Sequence, residues 1–192
     1  MLYGIVIFFA MALISLVALL GSPAMDACGA GAVVGAVCAA TAAIIALDGA
    51  LAFLIRRLPA RWFSAGRKIF IASRRECRFY IALGLRRWKD KIPELGMFTG
   101  FHKNKVRRPQ DNSYIARFIM ECNYGMAIHF AGAVFGFCLL LARPPAYALW
   151  VGLPVAVVNF VLNLLPLFVL RYNVPKLEAL YARNRRRSVE AP

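Results

Sequence analysis

The stretch YALWVGLPVAVVNFVLNLLPLFVL, from Tyr147 to Leu170, carries no charged side chain and runs straight into Arg171. A helix rises about 1.5 Å per residue, so these 24 residues reach about 36 Å, enough to cross a hydrocarbon core of roughly 30 Å. Three other blocks satisfy the same length test: Leu2–Leu20, Val33–Ile55 and Tyr124–Leu141. Ser22-Pro23-Ala24 resembles a signal cleavage site, but the first block lacks a basic leader and its apolar run is too long, so it is expected to stay as a mature helix.

Composition agrees with that reading. The chain has 192 residues, 61% of them hydrophobic and only 17% charged, with a mean hydropathy of +0.62. A soluble domain is about 45–50% apolar and about 25% charged. The charges are lopsided, 24 Lys and Arg against 9 Asp and Glu, and 17 of the 24 lie between Arg56 and Arg117. Six more follow from Arg171 onward, and none separates the first two apolar blocks. The positive-inside rule therefore predicts both termini in the cytoplasm. The expected fold is an all-α integral membrane protein, one membrane domain over 1–192. Its four transmembrane helices lie near 2–20, 33–55, 124–141 and 147–170, with a cytoplasmic segment at 56–123 and a basic tail at 171–192.

Within the cytoplasmic segment, Cys77, Tyr80, Ile81, Leu85, Trp88 and Ile92 recur at three- and four-residue steps, with Arg78, Arg86 and Lys89 away from them. The pattern predicts a cytoplasmic-side amphipathic interfacial helix over 76–92, closed by Pro93, with its apolar face among acyl chains. The aromatic residues from Trp62 to Trp88 suit that membrane face better than base stacking, and no nucleic-acid partner is expected. Five cysteines with no spacing under ten residues make neither a metal motif nor a disulfide framework, so no metal is expected. Gly31-x3-Gly35 predicts a close helix contact in the second span.

Polar residues inside apolar spans are costly and therefore informative. Asp48, His129, Asn159 and Asn163 stand out, and the rise per residue puts Asp48, His129 and Asn163 at one depth, roughly 8–12 Å inside the cytoplasmic boundary. This allows a supporting cluster of Asp48, Asn159 and Asn163 beside His129, acting either as a network that orients a base or as interhelical glue. Glu121, Gly125 and His129 share one helix face; Glu121 and His129, about 12 Å apart in rise, are placed to flank a substrate.

Four short runs carry a family resemblance: Glu76-Cys77-Arg78-Phe79-Tyr80; Arg87-Trp88-Lys89-Asp90-Lys91-Ile92-Pro93; Glu121 with His129 eight residues later; and Arg171-Tyr172-Asn173-Val174-Pro175-Lys176-Leu177. Together they resemble the glycosyl-4,4'-diaponeurosporenoate acyltransferase family over about 110 residues, from Arg67 to Leu177. Tyr124 and Met126 depart from the Arg and second Glu of that pattern. The resemblance implies a small multi-pass enzyme of the bacterial cell membrane that esterifies a hydroxyl of a glycosylated, lipid-linked acceptor with a fatty acyl group. It implies no bound cofactor, acyl-CoA or acyl carrier protein as donor, and the bilayer, acceptor and donor as partners.

On that reading His129 and Glu121 are the catalytic residues, a neutral His being the usual activator of a sugar hydroxyl. His102 lies among cations and is the weaker choice. Substrate-binding residues are Glu76, Arg86, Arg87, Trp88, Lys89, Asp90, Lys91, Arg171 and Asn173, the cations meeting donor phosphates and Trp88 anchoring at the interface. Pro175 is expected to open a new helix after a bend that swings Arg171 and Asn173 toward Glu121 and His129, while Arg183–Arg187 serve topology and lipid affinity. The competing function is a non-catalytic lipid-binding or assembly protein.

Overall fold

The computed structural model describes residues 2–91, 106–142 and 144–190. Among them every regular element is helical and no strand forms. In chain order the α-helices are α1 (Leu2–Gly21), α2 (Pro23–Asp26), α3 (Ala30–Arg56), α4 (Arg74–Ala82), α5 (Leu85–Trp88), α6 (Asn112–Phe135), α7 (Pro145–Tyr147) and α8 (Leu153–Glu190). Four helical stretches are long and apolar enough to cross a membrane: Gly4–Gly21, Ala30–Arg56, Asn112–Leu141 and Pro145–Arg187.

The chain divides into two compact units. One comprises Met1–Leu54 with Phe130–Leu164. Its core joins Ile14 and Ala18 of α1, Met25 of α2, Val33, Val37, Ala40 and Ile44 of α3, Val151 just before α8, and Val155 in its first turn. Ser22 starts α2 by accepting from the Met25 amide at 3.4 Å, and Gly29, at φ +82°, turns the chain into α3. The outer faces stay apolar, with Phe8 67% and Leu20 81% exposed, as a lipid-facing surface requires. Close approach occurs at Gly132 and Gly136, not at the expected Gly31-x3-Gly35. Nothing lies within 4 Å of a Cβ built on Gly31 or Gly35, whereas Cβ atoms on Gly132 and Gly136 would meet Asp48 at 2.7 Å and Asn159 at 2.6 Å.

The other unit comprises Ile55–His129 with Leu165–Pro192. Helix α6 starts twelve residues before the apolar run at Tyr124, because Asp111 caps it: its carboxylate accepts from the Ser113 and Tyr114 amides, each at 3.0 Å. The expected helix over 76–92 is broken. Gly84 takes φ +70°, a left-handed conformation that costs glycine little, and separates α4 from α5. The apolar stripe is used against protein: Tyr80, Leu85, Cys77 and Trp88 pack with Ala72, Val169 and Tyr172. Phe79, Ile81 and Leu83 are the apolar side chains left exposed there. Ile92, Pro93, His102 and Arg143 lie outside the described residues.

No new helix starts at Pro175. Helix α8 continues through both Pro166 and Pro175 to Glu190. An internal proline costs about 3 kcal/mol, and tertiary contacts on either side offset it. Val174 is fully buried and Leu177 nearly so, and the Glu178 carboxylate accepts from the Gly66 amide at 2.7 Å. Farther along, buried Asn184 donates to the Pro109 carbonyl at 2.6 Å.

Candidate functional site

Helix α4 is assembled around Glu76. Ser73 caps the helix by accepting from the Glu76 amide at 3.1 Å, which fixes the first turn and presents the Glu76 carboxylate toward α8. Arg171 then grips that carboxylate with two donors: Nη2 reaches Oε2 at 2.8 Å, and Nε donates to Oε1. Its third donor, Nη1, reaches the Ile69 carbonyl at 2.9 Å. Tyr80, one turn beyond Glu76, donates its hydroxyl to the same Oε1 and lays its ring on Phe168 with centroids 4.9 Å apart.

These contacts set the protonation states. The Arg171 guanidinium holds the Glu76 carboxyl below its ordinary range, against partial burial that opposes it. Burial, then the anionic Glu76 beside it, pushes the Tyr80 phenol upward, so Tyr80 stays a neutral donor. The side chains of Arg171 and Glu76 keep about a quarter of their surface, 25% and 26%. Glu76 and Arg171 are thus paired with each other rather than left open to a ligand, and Arg171 turns toward α4 and Ile69.

The neighbouring cations divide into two groups. Arg86 donates from Nε to the Tyr172 hydroxyl at 3.0 Å, while Lys176 stands 3.6 Å above the Tyr172 ring. Arg87 is exposed, and Lys89 pairs with Asp90 at 3.6 Å. Trp88 donates to the Leu83 carbonyl at 3.1 Å and packs half-buried against the Tyr80 cluster. Lys91 ends the described segment, and its side chain lies outside the described residues. Asn173 is half-buried on α8, between Tyr172 and Val174.

A second constellation lies on α6. Glu121 forms an ion pair with Arg56 at 3.0 Å, and the Arg56 guanidinium lies 5.9 Å from the Tyr124 ring centroid. Tyr124 stacks on Phe63 at 4.0 Å and donates to the Leu58 carbonyl at 3.0 Å; fully buried Asn123 donates to the Phe63 carbonyl at 2.8 Å. His129 is half-buried two turns beyond Glu121 on the same helix. In the other unit, the three polar span residues do meet. Asn163 donates to the Asp48 carboxylate at 3.1 Å and to the Asn159 side-chain oxygen at 3.0 Å, and Asn159 donates to the Gly132 carbonyl at 3.0 Å. Among the described residues no three His, Cys, Asp or Glu side chains gather as metal ligands would.

A model of the glycosyl-4,4'-diaponeurosporenoate acyltransferase family matches residues 59–183. The chain belongs to that family. Neither the curated proteins nor the solved structures compared with it hold a match. The acyltransferase match takes in Glu76, the 86–91 run, Glu121, His129, Asn159, Asn163, Arg171 and Asn173, while α1, Asp48 and Arg56 precede it. Glu76 and Arg171, read from sequence as separate ligand contacts, are one ion pair. Sequence reasoning missed Tyr80, Tyr172, Arg56 and Asn123 as polar partners. Tyr80 stands four residues after Glu76, which is a helical signal for the contact, but nothing local marks Arg56 as the partner of Glu121.

Proposed function

We propose that this acyltransferase esterifies a hydroxyl of a glycosylated lipid with a fatty acyl group taken from acyl-CoA or acyl carrier protein, at the cytoplasmic face. The observation that carries the reading is the Glu76–Arg171 clamp inside the family-matched stretch. It fastens α4, the first α-helix of the inner segment, to the end of the last apolar run, so that the cations at Arg86, Arg87 and Lys89 belong to a defined surface rather than to a loose loop. The density of Lys and Arg between Arg56 and Arg117 supports a cytoplasmic position for that surface.

In this mechanism Glu76, Tyr80 and Arg171 are positioning residues. Arg87, Lys89 and Lys91 attract the anionic donor by charge. Trp88, Asp90 and Asn173 shape the acceptor side, and the Asp48–Asn159–Asn163 network braces the spans. His129 takes the proton of the acceptor hydroxyl as its oxygen attacks the thioester carbonyl. A C–O bond forms, the C–S bond breaks, and the proton passes to the leaving thiolate. Glu121, held by Arg56, flanks the acceptor.

The test uses the full chain in membranes, supplied with a glycosylated carotenoid acid and with acyl-CoA or acyl carrier protein in turn, the ester being read by mass spectrometry. The wild-type chain should form the ester, and His129→Ala should lose about 100-fold or more of the rate while inserting and melting like the wild type. No ester from the wild-type chain with either donor, or full turnover by His129→Ala, would sink the proposal; binding of acceptor without turnover would leave a lipid-binding protein.

A further inference from the structure

The cytoplasmic end of α8 holds a groove of about 460 Å³ lined by Ala179, Ala182, Arg183, Arg186 and Arg187. We infer that it is a phosphate-binding shelf for the soluble, phosphate-bearing acyl donor. The identification of the ligand as a donor rests on the acyl-transfer reading above.

Docking of the helix orients these side chains. Leu177, Glu178, Tyr181 and Asn184 face inward: Leu177 and Asn184 are buried, Tyr181 is half-buried, Glu178 accepts from Gly66, and Asn184 holds the Pro109 carbonyl. The residues between them at three- and four-residue steps therefore face outward, and Ala179, Ala182, Arg183, Arg186 and Arg187 are all exposed. Two methyl side chains make a shallow floor, and three guanidinium groups rise from it. Guanidinium offers paired donors that match phosphate oxygens, and the nearby carboxylate, Glu178, is turned away onto Gly66.

Depth distinguishes a soluble phosphate from a lipid headgroup. The apolar run of α8 ends at Leu170, so Arg183 stands about 20 Å and Arg187 about 26 Å farther along the helix axis at 1.5 Å per residue. Headgroups occupy only about 5–8 Å on each side of the hydrocarbon. The shelf is beyond them for a helix near the membrane normal. Arg86 meets α8 at Tyr172, about 16 Å along the axis from Arg183. A ligand with its phosphate on the shelf and its reactive end near that membrane-proximal turn must be elongated, as an acyl thioester on a phosphorylated arm is.

Binding of coenzyme A to the full chain in nanodiscs made only of zwitterionic lipid tests the inference. The wild type should bind, and more weakly as salt rises. Arg183→Gln, Arg186→Gln and Arg187→Gln combined should weaken binding at least tenfold, the Lys triple variant should keep most of it, and Ala182→Glu, which places an anion on the floor, should mimic the Gln variant. All variants should melt with the wild type. Unchanged affinity in both the Gln triple variant and Ala182→Glu, or no binding by the wild type, overturns the shelf. So does a Gln variant that loses only its attachment to phosphatidylglycerol vesicles, which would make the lipid headgroup the occupant. If coenzyme A binding depends on the arginines but no ester forms, the shelf stands and acyl transfer falls. If ester forms with the same donor KM in the Gln variant, acyl transfer stands and the shelf falls.

Discussion

Glu76 and Arg171, 95 residues apart, meet through two parallel hydrogen bonds, and the same guanidinium holds the Ile69 carbonyl. One side chain thereby fastens both α4 and the segment that leads into it. Removing one partner strands the other charge in a half-buried setting, which costs more than deleting both. Arg171→Met should cost about 1–3 kcal/mol. Adding Glu76→Gln to it should recover part of that loss, with a coupling energy of about 1–2 kcal/mol in a double-mutant cycle. Detergent-solubilised thermal unfolding measures both, and additivity would show that the pair is incidental.

The same pair sets a pH dependence. The Glu76 carboxyl is held below its ordinary value of 4.5 when folded, so its contribution to stability is complete above the unfolded value and is lost as pH falls through the folded one. The melting temperature should therefore decline as pH drops below about 4.5. Glu76→Gln should melt lower than the wild type at pH 7 and flatten that decline. A wild-type curve with the same slope as the variant's would remove Glu76 as its source.

Glycines in the spans should divide by what they face. A Cβ on Gly132 would sit 2.7 Å from Asp48 Oδ1 and 3.0 Å from Asn163 Oδ1, on two side chains that are tied together by the bond from Asn163 Nδ2 to Asp48 Oδ2. Gly132→Ala should cost about 1–3 kcal/mol, the usual penalty of overpacking, whereas Gly31→Ala and Gly35→Ala have open space and should change stability by less than about 0.5 kcal/mol. Steric-trap or thermal unfolding in bicelles would rank them.

Gly66 meets a different constraint. Its φ of +82° lets its amide point at Glu178. Gly66→Ala should cost about 1–2 kcal/mol through backbone strain alone, since nothing would touch the added methyl. Glu178→Gln, which keeps an acceptor, should cost less. Equal losses would mean that the hydrogen bond, not the conformation, is what the site needs.

The spans were legible because apolar length is a local property, and the depth arithmetic that matched Asp48 with Asn163 worked because one rise per residue governs every helix. The amphipathic stripe at Tyr80, Leu85 and Trp88 was also legible, but not its partner, since periodicity says that a face is covered and never by what. Arg56 with Glu121 and Asn184 with Pro109 join residues 65 and 75 positions apart, and no local pattern announces them. The break at Gly84 was visible as a glycine within the stripe. The early start of α6 is written in Asp111-Asn112-Ser113, a run of good capping residues that lies outside the apolar block. Pro175 misled in the opposite sense, because burial of Val174 and Leu177 outweighs a lost backbone hydrogen bond.

The long separations also impose an order on biogenesis. Segment 57–73 is synthesised well before its distant partners: Phe63 waits 60 residues for Asn123, and Gly66 waits 112 for Glu178. At about 5–20 residues per second, Glu76 spends about 5–19 s without Arg171. During that interval Phe63 gains Tyr124, but Tyr80 still lacks Phe168 and α4 lacks its anchor on α8. A ribosome stalled before residue 171 should therefore display the region around α4 to proteases that the finished chain resists.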